Sequence, residues 1–178
     1  MQLRRALALG AAAVAAVLFG PSVPAKAAPA PAAPALTAPA PALAAATLAS
    51  TISLNNCSAS LVRYPTSAAG DRAMMLTNGH CYEGGFIASG TVLRNVSSSR
   101  QGTLLNAGGG SLGRVRADQV LYATMTGTDV ALYRLTTTFA ALQSQYGATP
   151  LTISGTRTST GTSMSIPSGY WKRVWNCT

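Results

Sequence analysis

From Leu48 onward the chain is built of short apolar runs, each broken by Gly, Ser, Thr or Asn. These runs predict strands at Ala59–Tyr64, Ala73–Thr77, Phe86–Val96, Gly113–Arg116, Gln119–Ala123 and Asp129–Leu135, followed by Leu151–Ser154, Gly161–Ile166 and Tyr170–Cys177. Thr and β-branched residues are frequent, and glycines punctuate the gaps at Gly70, Gly84-Gly85, Gly102 and Gly108-Gly109-Gly110. Many short strands separated by turn signals predict an all-β barrel or sandwich. One stretch differs. Thr138–Tyr146 reads as a helix, closed by Gly147 with Pro150 shortly after, the order that stops a helix. It separates the first six predicted strands from the last three. No internal repeat is visible.

The residues before Leu48 have a different pattern. Met1–Arg5 carries Arg4 and Arg5, Ala6–Phe19 is an unbroken apolar and small stretch, and Ala25-Lys26-Ala27 places small residues at a cleavage site. This predicts a signal peptide over 1–27 and a secreted, extracellular protein. The apolar stretch is about 14 residues long, short of the roughly 20 that span a bilayer. No stable membrane insertion is expected. Residues 28–47 are almost entirely Ala and Pro, a composition that favours extended chain and offers no apolar period for packing. They read as a linker or propeptide.

About 130 residues remain, enough for one core. Charge sharpens the picture only a little. Outside Arg4, Arg5 and Lys26 the chain has ten basic residues against four acids, Asp71, Glu83, Asp118 and Asp129. The basic residues are scattered, with no run and no interleaved aromatics, so nucleic acid is not expected as a partner. With so few acids, each one in a particular place is informative.

The cysteines are odd in number: Cys57, Cys81 and Cys177. An oxidising compartment predicts one pair and one leftover. Cys57 and Cys81 lie 24 residues apart and flank one β-like unit, so they are paired; closing a loop of that size stabilises by roughly 3 kcal/mol. Cys177 is left unpaired. The only histidine, His80, sits in MMLTNGHC, residues 74–81. Leu76-Thr77 ends an apolar strand, and Asn78-Gly79 is a turn pair that lets His80 project from the strand end. Cys81 then tethers the turn. A general base must be held rigidly within reach of its partner, and a covalent staple beside it does that. One histidine with no second cysteine pair cannot complete a metal site, so no metal and no cofactor are expected. Asp129, in TGTDVALYRL, opens an apolar strand after a Gly-Thr turn. A carboxylate there can accept from a histidine ring N–H and stabilise the imidazolium.

Together these stretches resemble the trypsin-like (chymotrypsin-fold) serine proteases, in particular secreted bacterial members. LTNGHC is similar to that family's L-T-A-A-H-C element, which carries the catalytic histidine and a half-cystine. NCSASLV resembles the strand with the partner cysteine, in support of the Cys57–Cys81 pairing. TDVALYRL resembles D-I-A-L-L-R-L, which carries the catalytic aspartate. The order is right, with 49 residues from His80 to Asp129. The resemblance covers about Asn56 to Cys177. It implies two six-stranded barrels with a triad between them, His80 and Asp129 coming from the first. It also implies a nucleophilic Ser in a G-D-S-G-G-P-like motif of the second barrel.

No such motif stands in the sequence. Gly109-Gly110-Ser111-Leu112-Gly113 has the letters of G-x-S-x-G, but not the strand–helix context or residue order that an α/β-hydrolase elbow needs. Ser163, in Gly161-Thr162-Ser163-Met164-Ser165, comes only 34 residues after Asp129, too soon for a second barrel to be complete. Residues 48–147 are therefore read as a first barrel. Residues 148–178 are read as a connection and the opening strands of a C-terminally truncated second barrel. The family function is endopeptidase action on a protein or peptide substrate; the 178-residue chain itself is expected to be inactive. The alternative is a non-catalytic secreted β-domain, a pseudo-protease that binds cell-envelope polymers or a partner protein.

Overall fold

Alternating apolar positions on successive strands meet in one interior, and the strands close around it. The structure, a computed structural model, describes residues 46–156 and 159–177. The expected signal peptide and the Ala/Pro-rich segment up to residue 45 lie outside the described residues. The elements in chain order are β1 (Thr51–Ser53), β2 (Ser58–Arg63), β3 (Arg72–Thr77), a 3₁₀ turn (Gly79–Cys81), β4 (Val92–Ser97), β5 (Gln101–Leu105), β6 (Ser111–Thr124) and β7 (Val130–Thr138). They continue with α1 (Phe139–Tyr146), β8 (Leu151–Thr152), β9 (Met164–Ser168) and β10 (Arg173–Cys177).

Six strands form a closed antiparallel barrel. The order is β1-β5-β6-β7-β3-β2, and β2 pairs back to β1. Each strand contributes a side chain with no exposed surface: Ile52, Leu61, Met75, Leu104, Val120 and Tyr133. Burying a large apolar side chain contributes about 1.5–3 kcal/mol, and these six belong to a wider core that also holds Leu54, Leu135, Phe139 and Leu142. Closure also removes the edge strands that would otherwise invite pairing with another chain.

β6 is one long strand where the sequence predicts two. Its first half pairs with β5 and its second with β4, while β7 runs along the other side. Register shifts between Ala117 and Gln119 and between Val120 and Tyr122 mark bulges, which bend a strand and turn it around a barrel corner. The apparent break at Asp118 is therefore a bend. Phe86–Val96 is shorter than predicted, with regular pairing only from Val92. Gly90 takes φ +81°, a conformation that favours glycine, and its N–H donates to Thr126 Oγ1 at 2.7 Å. Thr51–Ser53 and Gln101–Leu105 are strands that the sequence reading lacks.

α1 forms as predicted and for local reasons. The Thr138 side chain accepts from Ala141 N–H at 3.2 Å, and Gly147 closes the helix in the left-handed region. Leu151 and Thr152 then add to β2 in parallel, so this part of the predicted connection extends the barrel's own sheet. β9 and β10 form a separate two-stranded hairpin. It is fastened to the barrel at Ser58, whose Oγ lies 3.0 Å from Ser168 Oγ and accepts from Tyr170 N–H at 3.0 Å. Among the described residues no helix is long and apolar enough to cross a membrane.

Asp118 uses the bend to join two strands. Its Oδ1 accepts from Arg134 Nε and its Oδ2 from Arg72 Nη2, both at 2.9 Å. The Arg134 hydrogen bond holds the carboxyl below its ordinary range; burial opposes this, and the charges of Arg134 and Arg72 add to it. A depressed folded-state value stabilises the fold above the unfolded value, near pH 4, and the contribution is lost as pH falls through the folded value. The groups are partly exposed, so solvent screening keeps the effect small. The expected result is an acid limb below about pH 4 that is shallower in Asp118→Asn than in the parent, read from melting temperature against pH.

Candidate active site at the barrel rim

The site begins where β3 runs out. Thr77 donates its hydroxyl to Ser58 O at 2.7 Å. Asn78 is extended, and the chain then tightens into the 3₁₀ turn through Cys81 N–H to Asn78 O at 3.1 Å. Only glycine fits at position 79. A Cβ there would stand 2.2 Å from the Thr124 carbonyl oxygen and 3.1 Å from Asp129 Oδ1. The turn thus lies directly on the end of β6, which brings His80 to the residue that opens β7.

The sequence-predicted residues come together in two pairs. Cys57 and Cys81 form a disulfide across 24 residues, with Cys81 buried. His80 and Asp129 meet through two contacts. Asp129 Oδ1 accepts from the His80 backbone N–H at 2.9 Å, and Oδ2 lies 2.6 Å from His80 Nδ1. Asn78 Nδ2 stands more distantly, at 3.4 Å from Oδ2. One carboxylate therefore fixes both the backbone and the ring of the same residue. With Nδ1 as the donor, Nε2 is left as the acceptor and is the atom able to take a proton.

Burial disfavours the Asp129 charge, but hydrogen bonds from the ring and backbone N–H of His80 overcome it. The His80 charge and the Gly79 backbone N–H act in the same direction, and the carboxyl ends below its ordinary range. It is ionised wherever a histidine base works. The side chains remain 45% and 39% exposed, so the pair is open to a reactant. Among the described residues no hydroxyl is hydrogen-bonded to the His80 ring. Ser111 opens β6 and Ser163 precedes β9, and neither has a hydrogen bond to His80. Cys177 is exposed on β10 and has no disulfide among the described residues.

His80 also lies close to both disulfide sulfurs, a grouping that invites a metal reading. The disulfide consumes both thiolates, and a thiolate is the form that ligates. Beside Asp129 a cleft of about 320 Å³ runs between the end of β3 and the hairpin, lined by Ser58, Thr77, Asn78, Asp129, Ile166 and Pro167.

One supporting contact was not legible in the sequence. Tyr133, fully buried on β7, donates its hydroxyl to Glu83 Oε2 at 2.6 Å, and Ser98 donates to Oε1. Burial and then the Glu83 carboxylate push the Tyr133 hydroxyl strongly up, so it stays a donor. β7 thus grips the segment after β3 twice, at His80 through Asp129 and at Glu83 through Tyr133. The scarcity of acids singles out Glu83, but nothing local pairs it with a residue 50 positions later. Compared with known proteins, the chain matches no family model, no curated protein and no solved structure.

Proposed function

We propose that this chain carries the histidine–aspartate half of a secreted, trypsin-like serine endopeptidase. The supporting observation is the two-point contact between Asp129 and His80 on the rim of a closed six-stranded barrel. In this reading the barrel is the first of two in a chymotrypsin-like fold, and the β9–β10 hairpin begins the second. The nucleophilic serine comes from outside these 178 residues. His80 Nε2 takes the serine proton as the oxygen attacks the peptide carbonyl. Asp129 stabilises the resulting imidazolium, and His80 returns the proton to the leaving amine. Water, activated by the same base, then hydrolyses the acyl-enzyme. The disulfide suits an oxidising, extracellular setting.

A fluorophosphonate probe tests the proposal. The 178-residue chain is expected to stay unlabelled, and a chain extended through a serine-bearing second barrel to label one-to-one, with labelling lost in His80→Ala. Stoichiometric labelling of the 178-residue chain would overturn the external nucleophile. An extended chain that is inert with His80 intact would overturn the peptidase reading.

A second reading, a non-catalytic module that binds anionic envelope polymers or a partner, has one observation in its favour. The hairpin exposes Trp171 and Trp175, and Arg173 lies over the Trp175 ring. Polymer binding that survives both His80→Ala and moderate salt would support it.

A further inference from the structure

Three ligand-type atoms converge where the 3₁₀ turn meets the start of β2. The Sγ atoms of Cys57 and Cys81 and a ring nitrogen of His80 lie within 4.8 Å of one another. Cys57 directly precedes β2, and His80 and Cys81 stand in the turn after β3. Cys81 is buried, Cys57 is half-buried, and the His80 side chain is open to solvent. In the oxidised protein the two sulfurs are spent on each other. Reduction gives both back as ligands.

The histidine is already prepared for such a role. Asp129 Oδ2 lies 2.6 Å from His80 Nδ1. A carboxylate that accepts from one ring nitrogen fixes the tautomer and leaves the other nitrogen as the ligand, an arrangement common among metal-binding histidines. The three groups also stay assembled without the S–S bond. Asp129 Oδ1 holds the His80 backbone N–H at 2.9 Å, and β2 and β3 remain paired from Ser60 and Leu76 onward. Two thiolates and one imidazole are a zinc donor set, in the three-ligand form that leaves a fourth position open.

We infer that Cys57, Cys81 and His80 become a Zn²⁺ site when a dithiol reduces the disulfide. A thiolate of the reductant attacks Cys57 Sγ, the more exposed sulfur, and Cys81 leaves as a thiolate. The second thiol of the reductant then releases Cys57, so the dithiol gives up two electrons and ends as a disulfide. Zn²⁺ takes the two thiolates and His80 Nε2 without a change in its own charge, and any protons on the sulfurs pass to solvent. Ligation occupies the lone pair with which His80 would take a proton, so the bound ion switches the base off. The site does not depend on the peptidase reading, and its test needs no substrate.

The test uses the whole chain with Cys177→Ala, so that the exposed thiol on β10 takes no metal. Co²⁺ is the spectroscopic probe and Zn²⁺ its competitor. After reduction with a phosphine in the absence of oxygen, Co²⁺ is expected to bind one-to-one. It should show the thiolate charge-transfer and d–d bands of a tetrahedral site, and Zn²⁺ should displace it. The oxidised chain should show neither band. Asp129→Asn should weaken Zn²⁺ binding about 10–100-fold, and His80→Ala by more. Zn²⁺ should raise the melting temperature of the reduced chain and leave that of the oxidised chain unmoved. If reduction alone unfolds the chain, Zn²⁺ is expected to restore the native circular-dichroism spectrum. The absence of tetrahedral bands after reduction, equal bands from the oxidised chain, unchanged affinity in His80→Ala, or a reduced chain that stays unfolded with Zn²⁺ would each overturn the site.

Discussion

Under the proposed peptidase reading, Asp129→Asn in a chain extended through a serine-bearing second barrel is expected to keep its fold and lose about four orders of magnitude in kcat. The reason lies in the two oxygens of Asp129. Oδ1 accepts from the His80 backbone and Oδ2 faces Nδ1. An asparagine can keep the first contact with its amide oxygen, which then turns its NH₂ toward Nδ1. Two donors cannot face each other, so the ring gives up its Nδ1 proton and carries it on Nε2. That tautomer has no lone pair for the serine proton, and the imidazolium that forms has no counter-charge. Stability should move little, within about 1 kcal/mol, because the pair is partly exposed and screened. Melting temperature, kcat and the His80 ¹⁵N shifts separate these effects. A variant with kcat within tenfold of the parent would remove Asp129 from the role.

What the sequence revealed about the site was local. Asn78-Gly79 before His80 and Gly127-Thr128 before Asp129 are turn signals at the ends of apolar runs, and both residues do project from strand ends. The pairing partner of each was carried by the family resemblance and by residue order. The supporting contacts are of another kind. Gly79 against the Thr124 carbonyl, Tyr133 to Glu83, and the Arg100 side chain beside Asn56 all join residues more than 40 positions apart. The first two exist because β6 and β3 flank β7, and the third because β1 pairs with both β5 and β2, neighbourhoods that no local pattern encodes.

The same division holds for the fold. α1 was readable to its caps, because Thr138 and Gly147 act within one turn of the helix they bound. β1 was not: three residues give no alternation, and Ile52 is fully buried because β2 and β5 close over it from both sides. β5 is hidden by Gly102, which weakens a strand pattern. Yet a Cβ at that position would stand 2.4 Å from Ile52 Cγ2, so the glycine is there for close strand packing. The two strands predicted at Gly113–Arg116 and Gln119–Ala123 are one strand that runs through Asp118. Arg72 and Arg134, brought from two other strands, make the charge acceptable inside the strand.

Replacing both Cys57 and Cys81 by alanine is expected to lower stability by about 2–4 kcal/mol, read from denaturant midpoints under two-state conditions. The bond closes 24 residues of chain, and its loss enlarges the unfolded ensemble. Cys81 is also buried, so its truncation leaves a small void. Alanine is the cleaner substitution, since serine would bury a hydroxyl in the same place. The further consequence falls on His80. Two anchors of the turn survive the change, Asp129 on His80 and Tyr133 on Glu83, and both are hydrogen bonds that water can replace. The disulfide is the only anchor that cannot be exchanged with solvent. The double variant should therefore show faster exchange of the His80 backbone N–H than the lost global stability accounts for. If exchange at His80 follows global unfolding alone, the disulfide stabilises the barrel without holding the base. A stability loss under about 0.5 kcal/mol would show that the loop is already restrained in the unfolded chain.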